Sequence, residues 1–170
     1  MGPFLERLLR CFPDEPAIEP DYPKIIPEPY SGLLAHDHHM TVALERHHGY
    51  PVEVTVLQSR ISGEEYYRRI VLTTRGSSKV VLYGLVRLQL SLVPREAREE
   101  ILEEKKPLGR VLIERSVLRR VEHTALLRFS SRPVDMDRFE LSGPCQLYGR
   151  LAYLHCDDKP AIELLEVVRP

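Results

Sequence analysis

Residues 147–168, LYGRLAYLHCDDKPAIELLEVV, decide the fold. Two apolar runs, Leu147 to Cys156 and Ala161 to Val168, flank the polar Asp157-Asp158-Lys159-Pro160. Strand-length segments around a tight polar turn predict a β-hairpin. Before it, Val117 to Phe129 alternates loosely and reads as a strand, followed by a polar loop through Gly143-Pro144. Further upstream, residues 51–60 (PVEVTVLQSR) set Val52, Val54 and Val56 against Glu53, Thr55 and Leu57, the period of a half-buried strand. Tyr66 to Thr74 reads as the next strand, Arg75-Gly76-Ser77-Ser78 as a turn, and Lys79 to Leu92 as a β-rich run long enough to need a bend or bulge near Gly84. Short turns cannot make parallel crossovers, so the sheet is expected to be mainly antiparallel.

Helical patterns sit apart from these strands. Residues 3–12 (PFLERLLRCF) space Phe4, Leu5, Leu8, Leu9 and Phe12 as a short amphipathic helix. Six prolines between 13 and 30 exclude helix there, and the interspersed Ile18, Ile25, Ile26 and Tyr30 predict a strap lying against the domain. Ser31 to His48 returns to a helical pattern, in one or two pieces, with Asp37 as the candidate N-cap and Gly49-Tyr50-Pro51 as the stop. Pro94 opens the charged helix REAREEILEEK at its favoured first position, and Pro107-Leu108-Gly109-Arg110 starts a short apolar segment. Strands joined by turns, with helices at the N-terminus and in one central insertion, give a single α+β domain over 31–170, preceded by the helix and strap of 1–30.

Composition removes several classes of function. Twenty-four Lys and Arg nearly balance 25 Asp and Glu, so no strongly basic footprint points to nucleic acid. Cys11, Cys145 and Cys156 are too few and too irregular for a disulfide framework or a four-ligand zinc site. No apolar run approaches a membrane span, and Glu6 and Arg7 stand where a signal peptide needs apolar residues, so a reducing cytoplasm is the expected setting. No P-loop, G-x-G-x-x-G or G-x-S-x-G occurs. His36, His38, His39, His47 and His48 form a visible cluster. Adjacent histidines on a helix diverge by about 100°, and no HExxH or CxxC accompanies them, so a polar helix face explains them as well as a metal does.

The arginines are more informative. In YYRRIVL, alternation puts Tyr66, Arg68, Ile70 and Leu72 on one face and Tyr67, Arg69, Val71 and Thr73 on the other. Arg68 shares the face with larger aliphatics and is expected to point inward. A buried guanidinium needs an anion, and spacing alone leaves a core glutamate and a ligand carboxylate both open. The turn at Leu108-Gly109 offers backbone N–H groups as a second anion site. Glu163 and Glu166 fall on opposite faces of the last strand, and the one inside a pocket is a candidate acid or base.

The order of these pieces resembles the chorismate pyruvate-lyase (4-hydroxybenzoate synthase) family, and within it the branch found in actinobacteria, cyanobacteria and archaea. The matching stretches are LLAHDHHMTVALERHHGYPVEVTVL, YYRRIVL, KPLGRVLIE and LYGRLAYLHCDDKPAIELLEVV, which together cover most of residues 31–168. The resemblance implies an antiparallel sheet of about six strands flanked by helices around an enclosed pocket. It implies a lyase that converts chorismate to 4-hydroxybenzoate and pyruvate without metal or organic cofactor. Arg68 matches the arginine that holds the ligand carboxylate, Leu108 the main-chain donor, joined here by Gly109, and Met40 the pocket methionine. The family glutamate falls at Leu165 in a gapless alignment; a one-residue shift after Lys159-Pro160 gives Glu166, preferred over Glu163 as the acid/base group. A second family arginine has no clear counterpart, Arg87 being the nearest. Small-molecule sensor domains of transcription regulators share this fold, so a non-catalytic aromatic-acid binding domain is the alternative, and a related lyase of secondary metabolism a third reading. Such sensors normally follow a DNA-binding domain, which 30 proline-rich residues cannot form, so no nucleic-acid partner is expected.

Overall fold

Asp157 and Asp158 reverse the chain with φ of 48° and 64°, a two-residue turn whose left-handed backbone suits the twist of the strands it joins. Aspartate tolerates this conformation better than most side chains. The turn is shorter than the four residues expected, because Lys159 and Pro160 already belong to the returning strand. The computed structural model describes residues 2–15, 19–129 and 146–170; Ile18, Cys145 and the polar loop through Gly143-Pro144 lie outside them.

Among the described residues six strands form one sheet: β1 (Val52–Ser62), β2 (Glu65–Thr74), β3 (Val80–Gln89), β4 (Leu118–Phe129), β5 (Leu147–Cys156) and β6 (Lys159–Val168). Their order is β1-β2-β3-β6-β5-β4, antiparallel throughout. With helices α1 (Pro3–Leu9), α2 (Tyr30–Leu34), α3 (Met40–His48), α4 (Arg95–Leu102) and α5 (Leu108–Glu114), the chain is a single α+β domain.

The register aligns the strands in rows. Ile70, Gly84, Glu166 and Arg150 stand side by side across β2, β3, β6 and β5, and Arg68, Val86, Leu164 and Ala152 form the next row. On this face α2 and α3 bring Leu33, Leu34, Met40 and Leu44 against Ile70, Leu72 and Leu82. Alongside them, α4 and α5 bring Ala97, Ile101, Val111 and Leu112 against Val86, Leu88 and Ile162. The opposite face is covered by α1, whose Leu5 and Leu8 pack with Phe12 on Tyr67, Tyr83, Leu165 and Val167. Seven residues cannot hold a helix in isolation, so this burial is what keeps α1 formed. The proline-rich stretch meets the sheet at Asp21, which forms an isolated antiparallel bridge with Arg128 of β4 and an ion pair with its side chain.

Three local expectations need correction. Asp37 does not cap a helix: α3 starts at Met40 after an extended His39, and His38 and His39 precede it. A tertiary bond overrides the local preference there, since Arg150 Nη1 donates to the His36 carbonyl at 2.9 Å and holds the preceding turn. The irregularity expected near Gly84 falls at Val81, where the register slips between Leu72–Leu82 and Thr73–Val80; Gly84 itself lies in the ladder that runs unbroken from Glu65 to Leu72 against Gln89 to Leu82, and makes room instead. A Cβ there would lie 3.2 Å from Ile70 Cδ1. Finally, Pro94 is the N-cap of α4 rather than its first helical residue.

Candidate functional site

Among the described residues three arginines of the sheet are buried, and their surroundings differ. Arg69 on the α1 face bonds Asp14 through both terminal nitrogens, at 2.9 and 3.0 Å, and lies 3.2 Å from Glu15. Arg150, 1% exposed, donates Nε to Glu166 Oε2 at 2.7 Å and Nη1 to the His36 carbonyl. Arg68 is also 1% exposed, but its Nε and Nη1 have no hydrogen-bond partner. Burial pulls its pKa down, opposed by the neighbouring Tyr66 hydroxyl and, beyond it, Glu104. An unmatched buried cation is costly, so a sheet that retains one holds donors ready for an anion.

Arg68 and the Arg150–Glu166 pair line one cavity between the sheet and helices α3 and α5. Gly84 forms its floor, Met40 and Leu108 its roof, and His38 and His39 also face it. The cavity encloses about 50 Å³. An apolar cavity of about 150 Å³ takes up benzene, so an aromatic ring enters here only when lining side chains move. Met40, unbranched and with three rotatable bonds, is the most adaptable of them.

The PLG turn contributes in two ways. The first hydrogen bond of α5 runs from Val111 N–H to the Pro107 carbonyl, so no intrahelical carbonyl reaches the amides of Leu108 and Gly109. Gly109 is also a packing glycine: a Cβ there would come 2.7 Å from Thr41 Oγ1, forcing α3 and α5 apart. An ion pair between Arg110 and Glu45 ties the same two helices together.

Glu166 and Glu163 are on opposite faces. Glu166 lines the cavity, whereas Glu163 lies under α1, 2.6 Å from Arg7 and 3.2 Å from Arg87. Arg87, the nearest sequence counterpart of a second pocket arginine, is therefore on the wrong side of the sheet. Arg150 occupies the cavity instead, and sequence reasoning missed it. A regular ladder leading out of a two-residue turn would set Arg150 against Leu165. An extra residue at Ala161 shifts the register, so that His155 pairs with Pro160 but Leu154 with Ile162, and Arg150 meets Glu166. That slip follows Lys159-Pro160, the position where the alignment needed one.

The histidines do not converge. His36 and His38 stack at 5.7 Å and His47 and His48 meet edge-on at 4.8 Å. Among the described residues no three His, Cys, Asp or Glu side chains are grouped to hold a metal ion.

Comparison with solved structures places this architecture. The ligand-binding domain of a protein assigned to the GntR family of transcriptional regulators, from Bordetella bronchiseptica, superimposes with a TM-score of 0.51 at 15% identity, over 69% of this chain and 85% of that one. The chain shares that fold. YydK of Bacillus subtilis, described as a possible transcriptional regulator, gives a TM-score of 0.52 at 10% identity over 71% of this chain, which spans 58% of its length. A protein described as a transcriptional regulator, from Streptomyces coelicolor, gives 0.50 at 14% identity, over 69% of this chain and 86% of that one. At these identities the likeness is one of fold. Neither a protein-family model nor a curated protein sequence matches the chain. No helix among the described residues is long and apolar enough to cross a membrane.

Proposed function

We propose that the cavity binds a small aromatic carboxylic acid, with its carboxylate on Arg68 and a ring hydroxyl at the Arg150–Glu166 pair. The observation that carries this reading is the pair of unpartnered nitrogens on the fully buried Arg68 guanidinium. The Leu108 and Gly109 amides supply further donors to the same carboxylate, and Met40 closes over the ring. Charge supports binding of a monoanion. Glu166 already offsets Arg150, so among the described residues lining the cavity Arg68 is the one guanidinium that no carboxylate contacts. A structural neighbour described as a ligand-binding domain agrees with this reading.

The second reading is the lyase, favoured by the sequence resemblance and by a carboxylate inside the cavity at Glu166. Chorismate is a dianion, and its second carboxylate would find no further unpaired guanidinium among the described residues of the cavity. In that reading Glu166 serves as acid/base group and Glu166→Gln lowers turnover by about 10²-fold, with Glu163→Gln nearly silent.

Two measurements decide. Titration calorimetry with 4-hydroxybenzoate is expected to show saturable binding that Arg68→Ala weakens by about 10- to 100-fold, the worth of a charge-assisted pair, while Arg69→Ala leaves it. Equal loss in both variants rejects the Arg68 assignment. Incubation with chorismate is expected to yield no 4-hydroxybenzoate or pyruvate; turnover would establish the lyase reading instead.

A further inference from the structure

Glu104 stands just past the end of α4 with φ of 60°, its N–H bonded to the Ile101 carbonyl. This is the helix-terminating position that glycine, and less often asparagine, fills because a Cβ is crowded in the left-handed region. Glutamate has neither advantage: it has a Cβ, and its carboxylate is too far along the side chain to support its own turn as aspartate does. Its carboxylate goes elsewhere, accepting the Tyr66 hydroxyl at 2.7 Å. Tyr66 is 2% exposed, two residues from Arg68 on the same face of β2, and its hydroxyl interacts electrostatically with the Arg68 guanidinium. A phenol has one proton. With that proton committed to Glu104, the oxygen turns only lone pairs toward the guanidinium.

We propose that Glu104 is a positioning residue for Arg68, acting through Tyr66. It fixes the phenol as an acceptor, which orients the guanidinium and leaves Nε and Nη1 for the ligand. Its negative charge, one side chain removed, helps to hold a buried cation without occupying those two donors. A left-handed glutamate in place of glycine is the local cost of that arrangement, and such strain persists where the surroundings require it. This assignment rests on the reading of the cavity as a carboxylate site.

The test uses the full chain and two probes of the same shape, 4-hydroxybenzoate and 4-hydroxybenzamide, measured by calorimetry. Tyr66→Phe and Glu104→Gln are each expected to weaken the acid about 10-fold and the amide less than about 2-fold, since what is lost is orientation of a charged pair. Tyr66→Phe/Glu104→Gly is expected to bind the acid no more weakly than Tyr66→Phe alone. Glu104→Gly made on the Tyr66→Phe background, where only the strain remains, is expected to raise Tm by about 2–4 °C. Equal losses for acid and amide, or additive losses in the double variant, would overturn the assignment and leave the cavity reading standing. Wild-type protein that binds the acid no better than the amide would overturn both. If Tyr66→Phe does not fold, Glu104→Gln carries the acid-against-amide comparison alone.

Discussion

Arg68 and Arg69 are adjacent in β2 and equally withdrawn from water, yet one faces a cavity with open donors and the other a covering segment that supplies two carboxylates. The α1 face resolves its buried charge internally: Asp14 and Glu15 answer Arg69, and Glu163 answers Arg7 and Arg87. The cavity face leaves one charge unanswered. A sheet optimised for stability alone would treat both faces as it treats the first; on the proposed reading, the difference marks stability given up for binding.

The largest expected effect breaks that contrast directly. Arg69→Met takes the cation away from Glu15, whose wholly buried side chain keeps the Tyr83 hydroxyl at 2.7 Å, and is expected to cost about 3–5 kcal/mol. Arg68→Met is expected to change the sign, stabilising the protein by about 1 kcal/mol while abolishing binding of the acid, because it replaces an unmatched buried cation with an apolar chain of similar length. Urea unfolding at pH 7 measures both. If the two variants lose stability alike, Arg68 is satisfied within the fold and the two faces are equivalent.

The glutamates extend the comparison at smaller magnitude. Glu163→Gln weakens a network whose outer member, Arg7, is nearly half exposed, so its expected cost is about 1–2 kcal/mol with ligand affinity unchanged. Glu166→Gln is expected to lower affinity for 4-hydroxybenzoate relative to benzoate without the hydroxyl, since the lost charge weakens the bond to that group. An effect of Glu163→Gln on affinity as large as that of Glu166→Gln would contradict their placement on opposite faces.

Glycines divide in the same way. On the α1 side a Cβ at Gly149 would lie 2.5 Å from the Glu166 carbonyl, a backbone atom that cannot step aside. Gly149→Ala is therefore expected to cost about 1–3 kcal/mol. At Gly84 the nearest atom is the end of the Ile70 side chain, which can move. Gly84→Ala is expected to cost less than about 1 kcal/mol yet to block the cavity floor, lowering affinity for the acid. Thermal melts with and without ligand separate the two, and a Gly84→Ala protein that binds normally would show that the cavity floor is not used.

How much of this was legible in the sequence follows the range of the interactions. The parity of YYRRIVL put Arg68 and Arg69 on different faces because alternation is a property of the strand alone. The hairpin and its turn were visible for the same reason. Arg150 was not, since its partnership with Glu166 depends on one extra residue at Ala161 that no local propensity marks. Asp37 failed as a cap because Arg150, more than a hundred residues away, fixes the turn before it. Gly84 looked like a bend, and only the packed sheet shows that its missing side chain is cavity space. Glu104 carried a readable signal, a glutamate rather than glycine after a helix, but its meaning needs Tyr66 beside it.

The smallest expected effect is the order in which acid loosens the two sides. His36, His39 and His48 belong to the segments over the cavity face, and burial pushes all three down from the ordinary value near 6.5, His48 to about 4. A histidine with a lowered folded value takes its proton first in the unfolded chain. Its contribution is therefore complete above about pH 6.5 and is lost as pH falls toward the folded values. On the other face, Arg69 holds Asp14 below the usual carboxylate range, and Tyr67 with Arg87 does the same for Glu65. Those contributions persist down to about pH 4.5 and fall away only as the pH passes through the lowered values. Hydrogen exchange, corrected for its intrinsic pH dependence, is expected to show α2 and α3 losing protection between pH 6.5 and 5 while α1 and the strands beneath it stay protected. His48→Gln should narrow that gap without moving the lower transition. Loss of protection in α1 before α3 would mean that the covered face, not the cavity face, is the less secure half of the sheet.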